Sequence, residues 1–207
     1  MKYDSVGFVP EPIAVAVLPP LLTQGATGLF PIEISRSPIV TIREEQSDDA
    51  AAIRRVVLDA FGRAAEADLV ETLRTNGKSK LSLVAELDGQ IVGHILFTGG
   101  TVEDASSRLS VLGLAPLAVL TQFQRKGVGA ALMHRSLSQC RDLGHDVIVV
   151  LGHPEYYPKF GFVRAGRYGL GCEYDVPDDA FMALELRAGS LQGIRGLVRY
   201  QSEFDDV

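Results

Sequence analysis

The chain predicts an α/β fold, a mixed central sheet with helices on both faces. Three observations carry that expectation. Alternating or continuous apolar runs read as strands near residues 39–43, 81–87, 91–97, 109–120 and 147–151. Apolar residues at helical spacing fill the gaps after the first run and after the fourth. The resulting order is strand, two helices, three strands, helix, strand, short helix and further strands, which layers helices against a sheet. With 207 residues, 46% of them hydrophobic, the chain has enough apolar surface for one full core.

Residues 1–38 stand apart as an N-terminal extension. Pro10, Pro12, Pro19, Pro20, Pro31 and Pro38 interrupt any period, and the segment carries no chemistry of its own. Its apolar patch, residues 13–18, is far shorter than the roughly 18–20 residues of a membrane span, and only Lys2 precedes it as a basic flank. The domain proper is expected over 39–190, with 191–207 as a C-terminal strand or tail packed on it.

After the first strand, Ser47 is the expected N-cap, with Asp48 and Asp49 in the first helical turn, where acids suit the dipole. Ala50, Ile53, Val57, Ala60 and Phe61 form one face of that helix, and Gly62 ends it. A second helix carries Leu69, Val70 and Leu73 and stops at Thr75-Asn76-Gly77. Asp88-Gly89 is a type I′ turn signal joining the next two strands. A polar loop is expected over 99–107. In the strand that follows, Pro116 has no N–H to donate, so pairing should break or bulge there. Ala130, Met133, Leu137 and Cys140 then share a helical face, and strand-like runs recur at 181–186 and 197–200.

The chemistry concentrates between 117 and 132, where an apolar strand feeds a glycine turn and a helix start. Such a junction is a ready anion site, because the first helical N–H groups lack intrahelical partners. A Walker A loop is excluded, since Lys126 precedes Gly127 and no hydroxyl follows. A dinucleotide fingerprint fails at Leu132, which occupies its third glycine position. The net charge of −6 argues against wrapping nucleic acid, so Arg125 and Lys126 are a local basic spot suited to a small polyanion. Two cysteines and no HExxH-type histidine pair give no disulfide framework and no expected metal site. They are compatible with a reducing cytoplasm.

What remains is Gln124-x-x-Gly127-x-Gly129, which resembles the pyrophosphate loop of the GCN5-related N-acetyltransferases. Tyr156-Tyr157-Pro158-Lys159-Phe160-Gly161-Phe162 is similar to that family's Tyr-x-Lys-x-Gly-Phe segment. Together with Gly152-His153-Pro154-Glu155, it resembles the bacterial YhbS-type branch. The likeness runs from about Val40 to at least Leu186.

The resemblance implies a GNAT fold whose central parallel strands part at a bulge, which would give Pro116 its role. It implies acetyl-CoA as co-substrate. Leu117, Ala118 and Val119 would contact the pantetheine arm through backbone. Gln124, Arg125, Lys126, Gly127, Val128, Gly129 and Ala130 would surround the pyrophosphate, with Tyr157 and Phe160 also beside the cofactor. The implied reaction moves an acetyl group to a primary amine of a small molecule or protein in one ternary complex, with Tyr157 as acid. Many members place a glutamate on the strand before the loop, but residues 109–120 contain no acid. Glu66 is the expected catalytic carboxylate, with His94, Glu103 or water as other bases and His153 as a possible contact. No nucleic acid or membrane partner is expected, and the state is monomer or homodimer. A binding module without catalysis and a nucleotide-binding protein remain open as other readings.

Overall fold

A computed structural model of the chain describes residues 40–103 and 108–206. The expected N-terminal extension, 1–38, lies outside the described residues. β1 (Thr41–Glu44) leads through a short 3-10 turn, Ser47–Asp49, into α1 (Ala50–Phe61) and α2 (Ala65–Thr75). β2 (Ser79–Leu87), β3 (Gln90–Glu103) and β4 (Arg108–Val119) follow, then α3 (Val128–Asp142) and β5 (Val147–Leu151). The rest of the sheet comes from β6 (Val163–Arg164), β7 (Leu170–Cys172), β8 (Phe181–Glu185) and β9 (Gly196–Arg199).

The main sheet runs β1-β2-β3-β4-β5-β8-β6, and β9 joins β7 to the far end of β3. The pairs β4–β5 and β7–β9 are parallel and the other described pairs antiparallel. This is the GNAT fold, a mixed α/β sheet covered on both faces. At Gly93 on β3, a Cβ would meet Leu132 and Val128 of α3 at 3.0 and 3.1 Å, so this face packs closely on α3. The next residue, His94, points to the opposite face. There it meets Ser82 and Glu45, and Glu45 in turn holds Arg74 of α2.

Local departures from the expected elements have physical causes. Ser47 does not cap α1: the helix is entered through the 3-10 turn, whose capping box joins Gln46 and Asp49, with Asp49 accepting the Gln46 N–H at 2.7 Å while Arg43 holds both its oxygens. Of the expected loop at 99–107, residues 99–103 are strand, since β3 continues to Glu103, and 104–107 lie outside the described residues. Gly100 permits this, because a Cβ there would lie 2.9 Å from the Arg199 carbonyl of β9. β6 and β7, at two and three residues, are too short to show a period. Gly62 closes α1 in the left-handed conformation, φ 70°, as its place in the sequence suggests.

Candidate functional site

β4 and β5 run side by side only through Leu112, Gly113 and Leu114, which pair with Ile148, Val149 and Val150. Beyond Leu114 the ladder stops. On its other edge β4 stays with β3 up to Val119, but a bulge sets Ala115 and Pro116 opposite Leu96 alone. The missing N–H of Pro116 falls at the break, where the sequence leads one to expect it. From 115 to 119 the edge of β4 away from β3 therefore has no strand partner among the described residues.

A cavity of about 340 Å³ opens beside that edge. Leu117 and Pro116 border it from β4, Gly152 and His153 from the end of β5, and Tyr156 and Tyr157 from the turn beyond. Glu66 and Leu69 close it from α2, and Tyr200, Phe204 and Asp205 from the C-terminal segment. None of the described helices is long and apolar enough to cross a membrane.

Tyr157 is fixed by its surroundings. Its ring lies on the Cα of Gly152, where a Cβ would come within 2.2 Å of it, and packs edge-on against Phe162 at 5.6 Å. Burial, reinforced by Tyr156, holds its pKa well above the usual phenol range, so it keeps its proton at neutral pH. Burial likewise pushes Tyr156 up to about 12. Glu66 is 5% exposed. Arg63 holds its Oε1, with Nε at 2.8 Å, while Oε2 is buried with no hydrogen-bond partner among the described residues. His153 Nε2, Tyr156 OH and Tyr200 OH, around the same cavity, are buried and have no partner among the described residues.

The glycine turn lies next to this cavity without lining it. Gly127 adopts φ 87° and Arg125 φ 60°, left-handed residues of the kind that curl successive N–H groups into an anion-binding concavity. Ala131 donates back to the Gly127 carbonyl at 2.9 Å, leaving Val128, Gly129 and Ala130 in the first turn, where N–H groups have no intrahelical acceptor. Arg125 and Lys126 are exposed. Gln124 faces inward instead: its side-chain amide donates to the Val119 carbonyl at 3.1 Å and ties the turn to β4. Thr121 N–H is taken by Asp59, which fastens the same junction to α1. The Tyr156 hydroxyl lies 2.9 Å from where a Cβ on Gly129 would sit, so one aromatic ring links turn and cavity.

Of the residues expected to act, Glu66, Leu117 and Tyr157 border one cavity. Ala118 and Val119 are buried on the same strand. Phe160 does not line the cavity; it packs between Tyr156 at 5.2 Å and His134 at 5.3 Å. Two of the candidate bases lie elsewhere. His94 is fully buried behind β2, hydrogen-bonded to Ser82 at 2.9 Å, and Glu103 pairs with Arg199 at 3.2 Å. Tyr174, Tyr200, Phe204 and Asp205 were not among the expected site residues; the only signal for them is the aromatic density of the C-terminal third.

Comparison with known proteins matches these features. An acetyltransferase (GNAT) domain model covers residues 78–164. The uncharacterized N-acetyltransferase YhbS of Escherichia coli K12 is 34% identical over 165 residues, 79% of this chain and 98% of that protein. Another from the same strain, YjhQ, is 39% identical over 142 residues, 67% of this chain and 78% of its own. The crystal structure of E. coli YhbS in complex with CoA superposes with a TM-score of 0.78, covering 82% of this chain and 93% of that one. A GNAT acetyltransferase from Brucella melitensis in complex with acetyl-CoA gives 0.67 at 32% identity, covering 81% and 99%. Sequence, parted strands and relatives agree: the chain belongs to the GNAT family of acetyltransferases.

Proposed function

We propose that the protein is an acetyl-CoA-dependent N-acetyltransferase acting by direct attack of a primary amine in a ternary complex. The observation that carries this is the free edge of β4 past Leu114, which opens onto the cavity and leads into the left-handed turn before α3. An extended pantetheine arm would join that edge as an added strand, along Leu117, Ala118 and Val119. The N–H groups from Arg125 to Ala130 and the two exposed basic side chains suit a pyrophosphate. Gln124 sets the turn and Phe160 braces Tyr156 beside it. The CoA and acetyl-CoA held by the E. coli and Brucella relatives support the same ligand here.

Acetyl-CoA supplies a thioester carbonyl; attack by the neutral amine forms the C–N bond and breaks the C–S bond, leaving an amide and the coenzyme A thiol. Glu66 Oε2 takes the proton shed by the ammonium, and Tyr157 gives its proton to the departing sulfur. A backbone N–H near Val119 on the free edge is the donor for the developing oxyanion. The free thiols of Cys140 and Cys172 suit a cytoplasmic setting.

Calorimetry with coenzyme A and a thiol-release assay across primary amines test the proposal together. Coenzyme A binding with amine-dependent release is expected. Binding without turnover on any amine would make the chain an acyl-CoA-binding module. ATP or NAD binding without affinity for coenzyme A would overturn the reading of the turn.

A further inference from the structure

We infer that the acceptor is a small primary amine carried on an apolar, ring-bearing body. This rests on the acetyltransferase reading and concerns the apolar part of the cavity lining. Phe61, Leu69, Tyr174, Val176, Tyr200 and Phe204 supply it. The last three rings form an array, Tyr174 to Tyr200 at 5.8 Å and Tyr200 to Phe204 at 5.7 Å. Such faces favour stacking with another ring.

Charge narrows the class. Among the described residues no Lys or Arg lines the cavity, and its two carboxylates differ in what they can still accept. Asp205 Oδ1 already receives the Tyr174 hydroxyl at 3.1 Å, while Glu66 Oε2 is buried and unpartnered. One ammonium therefore finds one open carboxylate oxygen. An amino acid would bring its own carboxylate into an apolar space beside Glu66 and Asp205, with no lining cation to pair it. A polyamine would bring further charges against aromatic and aliphatic walls. The buried Tyr200 hydroxyl, also unpartnered, is placed to bond a polar substituent on the acceptor's ring.

The C-terminal segment also limits size. Asn76, just past the end of α2, donates to Glu203 at 2.9 Å and Gln201 donates to the Gly99 carbonyl, so residues 200–205 are fastened beside the cavity. About 340 Å³ must serve both the acceptor and the reactive end of the cofactor, which fits a small molecule rather than a folded protein surface.

The test is thiol release from acetyl-CoA by the full chain with matched amines: 2-phenylethylamine, phenylalanine, butylamine, spermidine and a lysine-containing peptide. The inference expects kcat/KM for 2-phenylethylamine at least ~10-fold above butylamine, the scale of a few apolar contacts, and further above the other three. Phe204→Ala should raise KM for 2-phenylethylamine about 10-fold with little change for butylamine. Preference for spermidine, phenylalanine or the peptide would overturn the acceptor class while leaving acetyl transfer standing. Coenzyme A binding with no release on any of the amines would instead remove the acetyltransferase reading itself.

Discussion

Behind β2, Glu45, Ser82, His94 and Arg74 hold one another; in the cavity, Glu66, His153, Tyr156 and Tyr200 each keep a polar atom with no partner. Ser82 gives its single proton to Glu45, so it accepts from His94 Nε2–H, and only His94 Nδ1 and one Arg74 nitrogen stay unpaired. Burial alone would push Glu45 up, but the His94 ring 3.7 Å away and the hydrogen bonds from Ser82 and Arg74 outweigh it and bring its pKa to about 2. Leaving a buried polar group unsatisfied costs about 1–3 kcal/mol. The first set carries two such costs, at His94 and Arg74; the cavity gathers four in one place. What sets the cavity apart from the cluster behind β2 is its unpartnered polar atoms, since both are buried. His94 and Glu66 are both buried and both plausible bases by residue type, and partner geometry separates them.

The largest expected effect lies outside both clusters. Gly127→Asp should abolish coenzyme A binding, read by calorimetry, because it sets a carboxylate at the pyrophosphate turn. A Cβ there meets nothing within 4 Å, so the fold should survive at a backbone cost of roughly 1–2 kcal/mol for a left-handed position. Retained binding would mean the turn does not hold the cofactor. Next, Glu66→Gln should lower kcat roughly 10²-fold, the lower end of general-base effects, without loss of thermal stability. A stable variant of undiminished turnover would move proton transfer to His153 or water.

Glu45→Gln should do the reverse. Removing one partner of the closed cluster is expected to cost about 2–3 kcal/mol in urea unfolding and to leave kcat unchanged. If turnover fell with stability intact, the contrast between the clusters would fail. The smallest effect is on pH. The Glu45 pKa is depressed from 4.5, so its contribution is complete above about pH 4.5 and is lost as pH falls through about 2. Burial lowers the His94 pKa as well, so the unfolded chain takes up its proton first and stability declines below about pH 6.5. Urea midpoints flat from pH 8 to 7 and falling below 6.5 would agree. Glu45→Gln should flatten the lower part of that fall.

Much of this was legible in the residues. Strand–helix alternation gave the layers, and Pro116 located the parting of β4 from β5 because a missing N–H is a local fact. The turn at Gly127 was legible for the same reason. What could not be read depends on distant approach. Gly100 looks like a loop glycine until β9 is seen against it, and Gly152 looks like a turn until the Tyr157 ring is seen on its Cα. Phe204 and Asp205 reach the cavity only because Asn76 and Gly99 fasten the segment there. His94 reads as a candidate base until Ser82 and Glu45 are placed beside it.

Acyl transfer in the cavity beside the parted strands is proposed to rest on Tyr157 as its acid. The direct measurement is a thiol-release rate for Tyr157→Phe, set against coenzyme A affinity measured on the same sample. With Tyr157 as the acid, kcat falls by roughly 10²–10⁴-fold, the range for one acid, with affinity unchanged. An unchanged kcat would show the hydroxyl to be a packing group and would contradict that role.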